Sequence, residues 1–167
     1  MSDARSLPRP DVPPARVTVA WLLVAAWAAL VWWLGSDQFS AGTTSRYLWP
    51  LIEWLWPSGS FEQRHALLMA IRKLAHPSVY AVLAGLAFRA ALVSGVSGLA
   101  RGAAIALALA VSFAGLDELR QSHIRSRTGA ASDVALDAAG ASVALAALSY
   151  VRRRRGSVQS GAPGGAR

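Results

Sequence analysis

The sequence predicts an all-α, polytopic integral membrane protein with four transmembrane helices and an outer interfacial segment. Two observations carry that reading. Of the 167 residues, 54% are hydrophobic and only 16% charged, which is too apolar for an ordinary soluble domain. The excess is concentrated in four runs, Val17 to Leu34, Leu74 to Val93, Gly102 to Leu116 and Val134 to Val151. Each is close to the roughly 17–25 residues that a spanning helix needs. A soluble bundle of four fully buried helices is disfavoured, because too little polar sequence remains to cover such a core.

Residues 1–16 form an N-terminal tail with Arg5, Arg9 and Arg16 ahead of the first run. That run is long for a signal peptide, and no small-x-small cleavage site follows Trp32, Trp33 and Leu34, so it reads as a retained anchor. Between the first two runs, Tyr47, Pro50 and Pro57 interrupt any long helix, and Arg46 to Pro57 is expected to lie along the outer interface. Trp32, Trp33, Trp49, Trp54 and Trp56 gather around that boundary, where indoles prefer the headgroup zone. Ser60 followed by Gln63 has the form of a capping box, which starts a helix at Phe61 and carries it into the second span. Pro77 is placed to bend that helix. The third run is short unless Leu99 to Arg101 extend it. The fourth ends at Arg152 to Arg155, and residues 152–167 read as a basic, disordered cytoplasmic tail. Residues 17–151 are then the membrane domain.

Four spans put both termini on one side. Ten of the seventeen Lys and Arg residues fall on the terminal side and seven on the other, with Arg152 to Arg155 and the three leading arginines close to the membrane. The bias places both termini of this multi-pass chain in the cytoplasm. Arg152 to Arg155 serve as a stop-transfer anchor, with contact to anionic lipid as the functional alternative. The net charge of +8 follows this flanking pattern, and no aromatic-basic surface for nucleic acid accompanies it. With no cysteine, disulfides, zinc thiolates and cysteine nucleophiles are excluded.

The polar residues that topology does not explain converge on the outer ends of three spans. Lys73, His76 and Tyr80 share a stripe at the mouth of the second. Asp117, Glu118 and Gln121 end the third, and one more helical turn gathers their side chains. Asp133 and Asp137 open the fourth, with Arg127 in the connecting loop. Gly85, Ala106, Ala110, Gly140, Ala141 and Ala144 let the helices approach closely. Asp137, one turn below the surface, calls for a cation such as Lys73, His76 or Arg127, or for a proton. A single polar lock between helices would need two or three residues, so about nine argue for a ligand site comprising Lys73, His76, Tyr80, Asp117, Glu118, Gln121, Arg127, Asp133 and Asp137.

Arg72, Lys73, His76 and Tyr80, then Asp117, Glu118 and Gln121, then Arg127, Thr128, Gly129, Ser132, Asp133 and Gly140 resemble the pattern of the VanZ-like family of bacterial membrane proteins. The match covers 72–140. Position 137 departs from it, with Asp where the family generally has Asn. The resemblance implies a small multi-helix protein of a bacterial inner or plasma membrane, in a family named for a member that gives resistance to teicoplanin, and it implies no settled reaction.

The leading functional expectation is an envelope protein whose outer pocket binds a membrane lipid, a lipid-linked envelope precursor or a lipophilic glycopeptide. Lys73, Arg125 and Arg127 would hold its phosphate or carboxylate. An intramembrane hydrolase or transferase is the alternative, with Glu118 or Asp117 as general base, His76 as acid or base, and Lys73 or Arg127 stabilising an anionic transition state. A helper subunit docking on another membrane protein is the third class. No nucleophile elbow, phosphate-cradling loop or two-histidine metal motif is present, no cofactor is implied, and His65 and His123 stand alone.

Overall fold

The computed structural model describes residues 12–36, 41–123 and 131–160. They form five helices: α1 Pro14–Leu34, α2 Ala41–Leu55, α3 Phe61–Val93, α4 Leu99–Ser122 and α5 Ala131–Ser160. Helices α1, α3, α4 and α5 are long and apolar enough to cross a membrane. The 15 residues of α2 reach only about 22 Å at 1.5 Å per residue, short of a hydrocarbon layer of roughly 30 Å. Only an all-helical chain satisfies its backbone within each segment in lipid, and no strand occurs among the described residues. The protein is therefore an all-α membrane protein. Its flanks carry exposed aliphatic side chains such as Leu22, Val82 and Val143, the last 70% exposed, a surface suited to lipid and not to water.

The crossings leave two ends. The distal end holds the close of α1, all of α2, the start of α3, the close of α4 and the start of α5. The terminal end holds the start of α1, the short α3–α4 link and the close of α5. In that link Gly95 and Gly98 have φ of 89° and 90°, a backbone that side chains disfavour, and so turn the chain within five residues.

The long helix α3 is the axis, packing against each of the other four. Its first turn is fixed by the capping box foreseen from the sequence: the Gln63 amide donates to Ser60 Oγ at 3.2 Å and the Ser60 amide to Gln63 Oε1 at 2.9 Å. The helix continues through Pro77. Arg64, one turn in, donates to Glu53 at 2.8 Å and to the carbonyls of Trp56 and Pro57, tying α2 to α3. On α4 a buried stripe of small residues, Gly102, Ala106, Ala110 and Ala114, faces the bundle. The most extensive packing is between α3 and α5. A Cβ added at Gly140 would lie 2.5 Å from the Pro77 carbonyl oxygen and 2.7 Å from Pro77 Cβ.

Two elements differ from the sequence expectation, and its condition for a full-length third span is met. Pro50 and Tyr47 do not interrupt α2, which is helical throughout. Proline removes one amide donor and frees one carbonyl, which a helix at the interface can leave to water. Leu99 to Arg101 do extend α4, and its last turns run on past Leu116 to Ser122. The stretch from Arg152 onward, expected as a disordered tail, continues α5 to Ser160. Arginine is a good helix former, and cations near a helix C-terminus are favoured by its dipole. Residues 161–167 lie outside the described residues.

Gly140→Ala should therefore force α3 and α5 apart. We expect a loss of about 1–3 kcal/mol, typical of overpacking, seen as a lower melting temperature in detergent. Gly115→Ala, where an added Cβ meets nothing within 4 Å, should leave melting unchanged or raise it slightly.

Candidate functional site

The small-residue stripe of α4 ends in two polar members, Asp117 and Gln121, which are 3% and 4% exposed. A carboxylate so buried needs donors, and Asp117 has three. Arg120, one turn on, donates to Oδ1 at 2.7 Å and forms an ion pair with it. Gln121 donates to Oδ2 at 2.8 Å, and Tyr80 of α3 donates to the same oxygen at 3.3 Å. Arg120 also donates to the Trp32 carbonyl at 2.9 Å and stacks over the Trp32 ring at 4.3 Å, so it joins α1 to α4. Trp32 in turn leans on Phe113, ring to ring at 5.9 Å.

Gly35 closes the top of this network. A Cβ there would lie 2.7 Å from Asp117 Oδ1 and would strike the Arg120 guanidinium. The end of α1 can cross the ion pair only because position 35 has no side chain.

Beside the network lies a cavity of about 200 Å³, bounded by Val31, Leu34 and Gly35 of α1, Thr44 of α2, Arg72, Ala75, His76, Val79 and Tyr80 of α3, and Asp117 and Gln121 of α4. Its α3 wall follows the i, i+3, i+4, i+7, i+8 face of the helix. One side is aliphatic. The other presents a guanidinium, an imidazole, hydroxyls, an amide and a carboxylate whose charge is already balanced. Arg72 also reaches Ser45 of α2 at 3.5 Å.

Of the expected site residues, His76, Tyr80, Asp117 and Gln121 line this one cavity. Lys73 does not: it is exposed, and Arg72 takes the position facing the cavity. Glu118 and Asp133 are half-buried and off the lining. Asp137 is 3% exposed, and its Oδ1 has no hydrogen-bond partner among the described residues. Asp133 precedes Asp137 by one turn on α5. Neither Lys73 nor His76 supplies the cation expected for Asp137, since no ion pair joins them among the described residues. Arg125 and Arg127 lie outside the described residues.

Sequence reasoning missed Arg120, Gly35 and Thr44. Arg120 carried a signal, its i, i+3 spacing from Asp117. Gly35 and Thr44 carried none, because their roles come from the packing of α1 and α2 over the end of α4. His65 stacks on Phe61, and the His123 ring lies 2.7 Å from the Leu119 carbonyl, both away from the cavity. Among the described residues no three His, Asp or Glu side chains are grouped to hold a metal ion. No family model, curated protein or solved structure matches the chain, so the functional reading rests on this geometry.

Removing one member of a buried ion pair costs about 3–5 kcal/mol, because the other is left uncompensated. Arg120 keeps 23% of its side chain exposed, so Asp117→Asn should fall at the low end of that range. The double variant Asp117→Asn/Arg120→Gln should recover part of the loss in a detergent melting series. A double variant no more stable than the single one would show that the two residues act independently.

Proposed function

We propose that this is a cell-envelope membrane protein of the VanZ-like type whose distal cavity binds the anionic head of a lipid-linked or lipophilic molecule. One observation carries the reading: Arg72, His76, Tyr80, Asp117 and Gln121, spread over 50 positions of a pattern that resembles that family, bound a single cavity. Arg72 supplies a planar fork of donors matched to phosphate or carboxylate. Asp117 would ordinarily repel such a group, but its ion pair with Arg120 balances that charge. Val31, Leu34 and Val79 offer an apolar wall for the tail of an amphiphile. In this proposal both termini are cytoplasmic, and the cavity opens at the outer face of a bacterial plasma or inner membrane. The same hold on an envelope precursor or on a lipophilic glycopeptide is how the protein would contribute to teicoplanin-type resistance.

The hydrolase or transferase reading has His76 and Asp117 facing one cavity in its favour. Against it, both Asp117 oxygens already accept hydrogen bonds from the protein, which suits an acceptor that holds structure more than a base that takes a proton.

The test is native mass spectrometry of the purified full-length protein with a polyprenyl monophosphate as probe. Arg72→Ala should weaken retention about tenfold or more, the scale of one charge-assisted hydrogen bond, while Lys73→Ala should change it little. Equal losses from both variants, or none from Arg72→Ala, would remove the cavity from the proposal. Deleting the gene should shift teicoplanin susceptibility only if the bound molecule belongs to that route.

A further inference from the structure

The charges are segregated. Every carboxylate among the described residues, Glu53, Glu62, Asp117, Glu118, Asp133 and Asp137, lies at the distal end. The terminal end holds Arg16, Arg89, Arg101 and Arg152 to Arg155, and no carboxylate among the described residues. Two of these arginines stand together at one place. Arg89 of α3 and Arg152 of α5 are both exposed and share a groove of about 530 Å³ between the two helices. Arg152 is positioned over the Phe88 ring at 5.6 Å from its centroid, and neither it nor Arg89 has a carboxylate partner among the described residues. Away from the arginines the groove is aliphatic, with Val82, Gly85, Ala144 and Leu148 in its walls. Its floor is open because position 85 has no side chain: an added Cβ would meet only Leu148, at 3.4 Å.

We propose that this groove is a binding site for an anionic phospholipid, with the phosphate held between Arg89 and Arg152 and one acyl chain lying along Gly85. The chemistry on both counts fits a lipid. Two guanidiniums at a membrane boundary require an anion, and in a bilayer the available anions are lipid phosphates. A lipid-facing apolar channel leading from that pair into the hydrocarbon layer takes a chain and excludes a soluble anion. The site is separate from the distal cavity and does not depend on it.

The experiment uses the full-length protein, exchanged into detergent with equal amounts of phosphatidylglycerol and phosphatidylcholine of identical chains, and read by native mass spectrometry. The expected result is retention of phosphatidylglycerol over phosphatidylcholine, lowered about fivefold or more by Arg89→Gln or Arg152→Gln. Arg154→Gln removes the same charge from a residue outside the groove and should cost less than about twofold. Gly85→Leu fills the chain's seat with all arginines in place and should lower retention as Arg89→Gln does. Elution on size exclusion checks folding, and if Gly85→Leu does not fold, the arginine comparison decides. Equal retention of the two lipids, or an Arg154→Gln loss as large as that of Arg152→Gln, would overturn the proposal. Arg89, Arg152 and Gly85 line the groove and not the distal cavity, so a loss on changing them is read separately from the Arg72→Ala result, and failure here and failure of the distal cavity are distinguishable.

Discussion

The close approach of α3, α4 and α5 is the constraint on which the rest of the structure depends. Between helices in lipid there is little hydrophobic drive, since the tails are as apolar as leucine, and association relies on van der Waals packing and interhelical polar contacts. This chain meets that condition with absences. Gly140 lets α5 press against Pro77, and the alanines of α4 bring that helix onto α3. Pro77 also lies one turn from Tyr80, so the crossing that joins α3 and α5 sits one turn toward the distal end from the level at which Tyr80 reaches Asp117. The polar contacts follow from the packing: once the helices are that close, a tyrosine on one can satisfy a carboxylate on another.

A second consequence is the separation of charge along the bundle. Among the described residues the carboxylates are confined to the distal end, where Arg64 and Arg120 pair with two of them. Arginines at the opposite end have no such partners among the described residues, and they crowd the boundary where α5 emerges. An arginine near the end of a spanning helix can set its guanidinium over an aromatic ring, as Arg152 does over Phe88 at 5.6 Å. The two ends thus deal with charge by different means, the distal one inside the protein and the terminal one through its surroundings.

Much of this was legible because helix and bilayer physics act on short stretches of sequence. The four spans, the capping box at Ser60 and Gln63, the extension of α4 over Leu99 to Arg101, and the gathering of Asp117 with Gln121 each depend on neighbours within about four residues. The choice between Arg72 and Lys73 does not. Positions 73, 76 and 80 form one acceptable stripe and 72, 76 and 80 another, and they differ by about 100° of helix rotation at their first member. Which stripe faces the cavity is decided by where α1 and α4 lie against α3. Arg120 was legible by spacing but was masked by its apparent role as a topology marker. Gly35 was not legible at all, because the clash it avoids is with residues more than 80 positions away. The unbroken course of α2 through Pro50 was hidden for the opposite reason: a local rule against proline was overridden at an exposed position that tolerates the lost hydrogen bond.

One acid of the distal set holds the cavity wall in place. Asp117 lines the cavity beside Tyr80 and accepts the hydrogen bond of the Tyr80 hydroxyl on Oδ2 at 3.3 Å. It also draws the guanidinium of Arg120 inward and pins the end of α1 through Trp32. Asp117 is thereby a positioning residue: it fixes which atoms of Tyr80 and of its own carboxylate are already committed within the protein, and so shapes what the cavity can recognise.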